Sequence, residues 1–83
     1  MAGYFFATFF LENEEKRIGI IVSKKVSNKA VIRNRVRRRI REIYRLNRED
    51  MPQGEMVVIA RRPTAKADFS SLKKEFLSLS KRI

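Results

Sequence analysis

The 83-residue chain has no cysteine, histidine or tryptophan, and its 9 acidic residues face 20 lysines and arginines. Without cysteine there are no disulfides. Without cysteine and histidine together there is no Cys/His zinc site, no Ser–His or Cys–His nucleophile, and none of the commonest acid–base side chain. The 3 glycines, Gly3, Gly19 and Gly54, are scattered too widely to build a phosphate-cradling loop. No apolar run approaches the roughly 20 residues needed to span a bilayer. The apolar start, Met1 to Leu11, lacks the basic flank of a secretory signal. Acidic residues fall mostly at expected loops and element ends, and none are spaced as paired catalytic carboxylates. The polypeptide alone is therefore not expected to do chemistry, and a soluble cytoplasmic protein that binds no metal itself is the economical expectation.

What is abundant is positive charge, +11 net, in a chain that is still 43% hydrophobic. That apolar share is enough for a packed globule and too much for a disordered basic tail. Length allows one domain, residues 1–83, with one modest core. A surplus of cations points to nucleic acid or an anionic membrane surface as partner.

The pattern predicts two helices and three strands in the order β-β-α-β-α. Tyr4 to Leu11 is aromatic and β-compatible, Glu12 to Lys16 is polar, and Arg17 to Ser23 turns apolar again, which reads as an antiparallel hairpin. Ser27 or Asn28 is expected to cap a helix running to about Asn47. Met51-Pro52-Gln53-Gly54 makes a turn, and Glu55 to Ala60 is a buried strand. Asp68 is placed to cap a second helix, whose apolar face is Phe69, Leu72, Phe76, Leu79 and Ile83. Joining two strands through the first helix gives a βαβ unit, for which a right-handed crossover is the general expectation. Helices on one face only would leave the other side of the sheet open.

The first helix carries the densest charge. Ile32, Val36, Ile40 and Ile43 form one apolar stripe, and Arg33, Arg35, Arg37, Arg38, Arg39, Arg41 and Arg45 occupy the rest. Arginine is always protonated and its planar fork can bond two phosphate oxygens at once, so guanidinium groups on a docked helix make a positive surface of fixed shape. Glu42 is the one acid within this run. Intrahelical salt bridges therefore cannot account for the density. Asn34, a poor helix former, is expected to bond either a neighbouring backbone or RNA. On the first strand Tyr4, Phe6, Thr8 and Phe10 share one face, and Phe5, Ala7, Phe9 and Leu11 the other. On the second strand Gly19, Ile21 and Ser23, smaller than Ile18, Ile20 and Val22, are the expected open side.

Lys24-Lys25, then Arg33-Asn34-Arg35, Val36-Arg37-Arg38 and Ile40-Arg41-Glu42 resemble the signature of the bacterial ribonuclease P protein subunit. The preceding Ile18 to Ser23 and the later Val58-Ile59-Ala60-Arg61-Arg62-Pro63 resemble the strands flanking that signature. The resemblance implies a small α/β domain, an α+β sandwich, with a left-handed βαβ crossover in place of the general right-handed one. It implies as partners the catalytic RNA of ribonuclease P, which hydrolyses with Mg²⁺, and the 5′ leader of precursor tRNA. Carried onto this sequence, Lys24, Lys25, Lys29, Arg33, Asn34, Arg35, Arg37, Arg38 and Arg41 would contact RNA, with Arg45 added by periodicity. Tyr4, Phe6, Thr8 and Ser23 would line the leader cleft. Family members carry a basic helix and a further strand before the position of Tyr4, so this sequence is expected to be an N-terminally short form. Its uncovered sheet face would then favour self-association. The competing expectations are a ribosomal or other structural RNA-binding protein, and membrane-surface attachment, which is disfavoured because the core needs the helix's apolar stripe.

Overall fold

The computed structural model describes residues 2–82. Strands β1 (Phe6–Glu12) and β2 (Arg17–Ile21) are followed by helix α1 (Ala30–Leu46), strand β3 (Gly54–Ala60) and helix α2 (Phe69–Ser80). Short 3₁₀ turns at Arg48–Asp50 and Arg62–Ala65 complete the path. The order β-β-α-β-α is the one the sequence pattern predicts.

The expected β1–β2 hairpin does not form. The sheet order is β1-β3-β2, with β3 antiparallel to β1 and parallel to β2. The reason lies in β3 itself, none of whose residues is exposed. Such a strand belongs in the middle, where both edges are hydrogen-bonded, and the polar Asn13–Lys16 loop spans the two inter-strand spacings over it. That loop is tied to the segment between α1 and β3. Lys16 Nζ donates to the Arg48 and Glu49 carbonyls at 3.0 and 3.4 Å, and Gln53 Nε2 donates to the Glu14 carbonyl. The βαβ unit is β2-α1-β3.

Register sorts the side chains. Phe6, Thr8 and Phe10 pair with Ala60, Val58 and Met56, and Ile20 and Ile18 continue the last two rows from β2. Both helices cover this face. Val36, Ile40, Ile43 and Tyr44 of α1 and Leu72, Phe76 and Leu79 of α2 are buried there, with Phe6 edge-to-face on Phe76 at 6.0 Å. Ile32, at the entry of the stripe, is only half-buried, and Tyr44 extends the buried set at the other end. The reverse face carries the rows Ala7–Ile59–Ile21 and Phe9–Val57–Gly19. Among the described residues no helix covers it, and Phe9 and Leu11 are 59% and 64% exposed.

Helix α1 begins without a side-chain cap, contrary to the expectation for Ser27 or Asn28. Ser27 Oγ instead accepts from the Lys29 amide at 3.1 Å, a turn completed before the helix starts, and Lys29 is the extended N-cap residue. At the other end the Asn47 side chain donates to the Ile43 carbonyl at 2.8 Å, satisfying one of the terminal carbonyls. Helix α2 is capped as expected, with Asp68 Oδ1 accepting from the Ser71 amide at 2.8 Å. Ile83 lies outside the described residues. Among the described residues no helix is long and apolar enough to cross a membrane.

Candidate nucleic-acid interface

A helix turns by about 100° per residue, so neighbouring arginines on α1 meet different surroundings. With Val36, Ile40 and Ile43 against the sheet, Asn34, Arg38, Arg41 and Arg45 stand on the exposed side. Arg35 and Arg39 fall on a flank facing the turn before α2. There Arg35 Nη2 donates to the Ala65 carbonyl and Arg39 Nη1 to the Ala67 carbonyl, each at 2.9 Å. Arg33, also half-buried, donates from Nη1 to the Ser27 carbonyl at 2.9 Å. These guanidinium groups close backbone turns that would otherwise leave carbonyls under-bonded.

Half-buried Arg37 and the exposed residues bond differently. Arg37 Nη1 donates to Asn34 Oδ1 at 3.1 Å, so Asn34 orients a neighbouring guanidinium. Arg45 pairs with Glu42 at 2.6 Å, and this hydrogen bond holds the Glu42 carboxyl below its ordinary range. Both partners are substantially exposed, which limits the worth of the pair. Arg38 and Arg41 project from the same exposed side, and Lys24, Lys25 and Lys29 continue the positive surface along the loop preceding α1.

That loop leads to an open cavity of about 620 Å³ at one end of the sheet. Tyr4, 69% exposed, forms part of its wall together with Ser23, Lys25, Arg61 and Arg62. None of its lining residues is acidic. A cationic rim beside an exposed aromatic ring is suited to phosphates and to stacked bases, the two features shared by any single-stranded nucleic acid.

The residues expected to line a cleft thus divide. Tyr4 and Ser23 come together at the cavity. Phe6 and Thr8 are buried under the helices, because β1 presents its even-numbered side to the core, and the expectation for them is corrected. Tyr4 escapes that alternation because it precedes β1 in a bend. Arg61 and Arg62 were not among the expected contacts, although a basic pair directly after a buried strand was a readable signal.

The whole chain, residues 1–83, matches the family profile described as Ribonuclease P. The chain belongs to the ribonuclease P protein family. It is 43% identical over 77 residues to the ribonuclease P protein component of Natranaerobius thermophilus, an alignment covering 89% of this chain and 66% of that protein. With the corresponding protein of Coxiella burnetii the identity is 39% over 72 residues, covering 84% of this chain and 60% of that one. The chain thus spans somewhat under two thirds of the length of these relatives. Among solved structures, the ribonuclease P protein of Thermotoga maritima superposes with a TM-score of 0.91 at 34% identity, covering all of this chain and 81% of that one. The Staphylococcus aureus ribonuclease P protein gives 0.87 at 28% identity, with coverage of 98% and 76%. The fold described above is therefore that of bacterial ribonuclease P proteins.

Proposed function

We propose that this chain acts as the protein subunit of a bacterial ribonuclease P, binding the catalytic RNA and the 5′ leader of precursor tRNA to support 5′-end maturation in the cytoplasm. The observation that carries the reading is the placement of two cationic surfaces side by side on the family's fold. Arg37, Arg38 and Arg41 and the Lys24–Lys25–Lys29 loop offer phosphate contacts of defined geometry to a structured RNA. The cavity walled by Tyr4, Lys25, Arg61 and Arg62 offers a base a ring to stack on and its phosphate a cation, which suits an unpaired leader. Arg33, Arg35 and Arg45 keep RNA contact as a second role beside the intramolecular bonds they make. Hydrolysis belongs in this reading to the RNA with its Mg²⁺, and the protein supplies binding and charge neutralisation. Among the described residues no group of three or more acidic side chains gathers to hold an ion. The open sheet face around Phe9 and Ile21 is left for a second copy at high concentration, which sedimentation would read.

Reconstitution with a bacterial ribonuclease P RNA tests the proposal. Added chain is expected to lower the Mg²⁺ concentration needed to cleave precursor tRNA. RNA binding with no effect on cleavage would favour the structural RNA-binding alternative.

A further inference from the structure

The short segment before β1 is fastened by one carboxylate from the far end of the chain. Glu75, in the second half of α2, accepts hydrogen bonds from three successive backbone amides. Tyr4 donates to Oε1 at 2.7 Å, and Phe5 and Phe6 donate to Oε2 at 2.7 and 3.0 Å. Convergent backbone N–H groups of this kind form an anion-binding concavity, here filled by the protein's own side chain. An ionised carboxylate has lone pairs enough for all three donors, whereas glutamine offers a single oxygen. Residue 3 completes the fit. A Cβ added at Gly3 would stand 2.7 Å from the Glu75 carboxyl carbon and 2.9 Å from each oxygen.

Arg61 closes the same segment from the other side. Its amide donates to the Phe5 carbonyl at 2.8 Å and its Nη1 to the Gly3 carbonyl at 2.9 Å, while the Gly3 amide donates to the Phe6 carbonyl at 2.7 Å. Tyr4 is thereby an exposed side chain on an immobilised backbone, at the wall of the cationic cavity. A backbone held this way has little further freedom to lose when a base stacks on the ring it carries.

The geometry points to Glu75 as a positioning residue for RNA: by holding the amides of residues 4–6 it keeps Tyr4 at the mouth of the cavity. This inference rests on the leader reading of that cavity and adds the distant residue that shapes it. In sequence Glu75 is only one acid on an amphipathic helix, some 70 positions from the ring it serves.

The test compares Glu75→Ala, Glu75→Gln, Tyr4→Ala and the Glu75→Ala/Tyr4→Ala double variant. Each is bound to a bacterial ribonuclease P RNA, and affinity for leader-bearing precursor over mature tRNA is measured at fixed salt and Mg²⁺. Glu75→Ala and Tyr4→Ala are each expected to lower that preference by about tenfold, by more than they lower affinity for the RNA subunit. Because both act through one ring, the double variant should fall within about twofold of Tyr4→Ala. Glu75→Gln should lie between, and amide exchange at residues 4–6 should accelerate in step. If Glu75→Ala does not fold, Glu75→Gln and Gly3→Ala, which crowds the carboxylate, carry the comparison. Full preference in the Glu75 variants beside a loss in Tyr4→Ala would overturn the role of Glu75 and leave the leader reading standing. Full preference in Tyr4→Ala would overturn the leader reading, and Glu75's role with it. Losses that multiply in the double variant would show that Glu75 acts by another route.

Discussion

Arg35 and Arg39 lie on the same helix as Arg38 and Arg41, yet the two pairs meet different surroundings. The first pair is half-buried and bonded to the Ala65 and Ala67 carbonyls, fastening α1 to the turn that leads into α2. The second pair stands exposed on the side away from the core. A count of arginines therefore overstates the guanidinium groups that make no intramolecular bond, since part of the charge density holds the fold together. The same helix is an interior strut along one flank and an exposed cationic surface along its outer face.

The harshest test removes what both flanks depend on. Ile40 is fully buried at the centre of α1's stripe. Ile40→Asp places a carboxylate there, and a change of that class is expected to cost about 4 kcal/mol or more, most of a small domain's stability. Loss of cooperative thermal unfolding would confirm it. A parent-like melt would mean the helix faces are misassigned and the comparison is void.

Swapping the pairs sharpens it. Arg38→Ala/Arg41→Ala should leave melting nearly unchanged but weaken binding to the catalytic RNA, flattening the slope of log affinity against log salt by about 0.7–0.9 per lost contact. Arg35→Ala/Arg39→Ala should do the reverse, costing about 1–2 kcal/mol of stability per lost bond while keeping more of the salt slope. Equal slope changes in the two double variants would erase the distinction.

The turn gripped by Arg39 also carries the α2 cap, which makes it sensitive to pH. Hydrogen bonding from Ser71, by side chain and backbone, holds the Asp68 carboxyl below its ordinary value of 3.8, and the Arg39 charge adds a smaller effect in the same direction. A carboxyl lowered in the folded state stabilises fully above its unfolded value, and that stability is lost as pH falls through the folded value. Asp68→Ala is accordingly expected to melt roughly 4–8 °C lower at neutral pH. The gap from the parent should close on acidification below 3.8. A gap independent of pH would remove the charge from the account of this cap.

The smallest effect is expected on the opposite flank. The Tyr44 hydroxyl is buried with no hydrogen-bond partner among the described residues, and burial pushes its pKa up, partly offset by Arg48. Tyr44→Phe should change stability by less than about 1 kcal/mol, with a gain more natural than a loss. A loss of twice that size in a denaturant melt would show that the hydroxyl is held.

Much of this was legible beforehand. The periodicity of Val36, Ile40 and Ile43, the capping role of Asp68 and the five-element order follow from local pattern, because helix and strand repeats are written in nearest neighbours. The outward side of α1 was readable for the same reason. The strand pairing was not, since proximity in sequence favours a hairpin while burial favours putting β3 in the middle. Nor were the bonds of Arg33, Arg35 and Arg39 legible, because their acceptors are backbone carbonyls, which every residue possesses and no sequence pattern marks.

Sequence by itself determined that this chain is small and strongly basic and carries an arginine-bearing amphipathic helix, and its Arg33-Asn34-Arg35 signature resembled the right family. Only the tertiary structure decided which arginines are free, which face of β1 joins the open side of the sheet, and that Tyr4, Lys25 and Arg62 share one cavity. The physical reason is range. Periodicity and charge act between residues a few positions apart, whereas the clasp of Glu75 on residues 4–6 joins groups about 70 positions apart and exists only once the sheet and both helices have closed around one core.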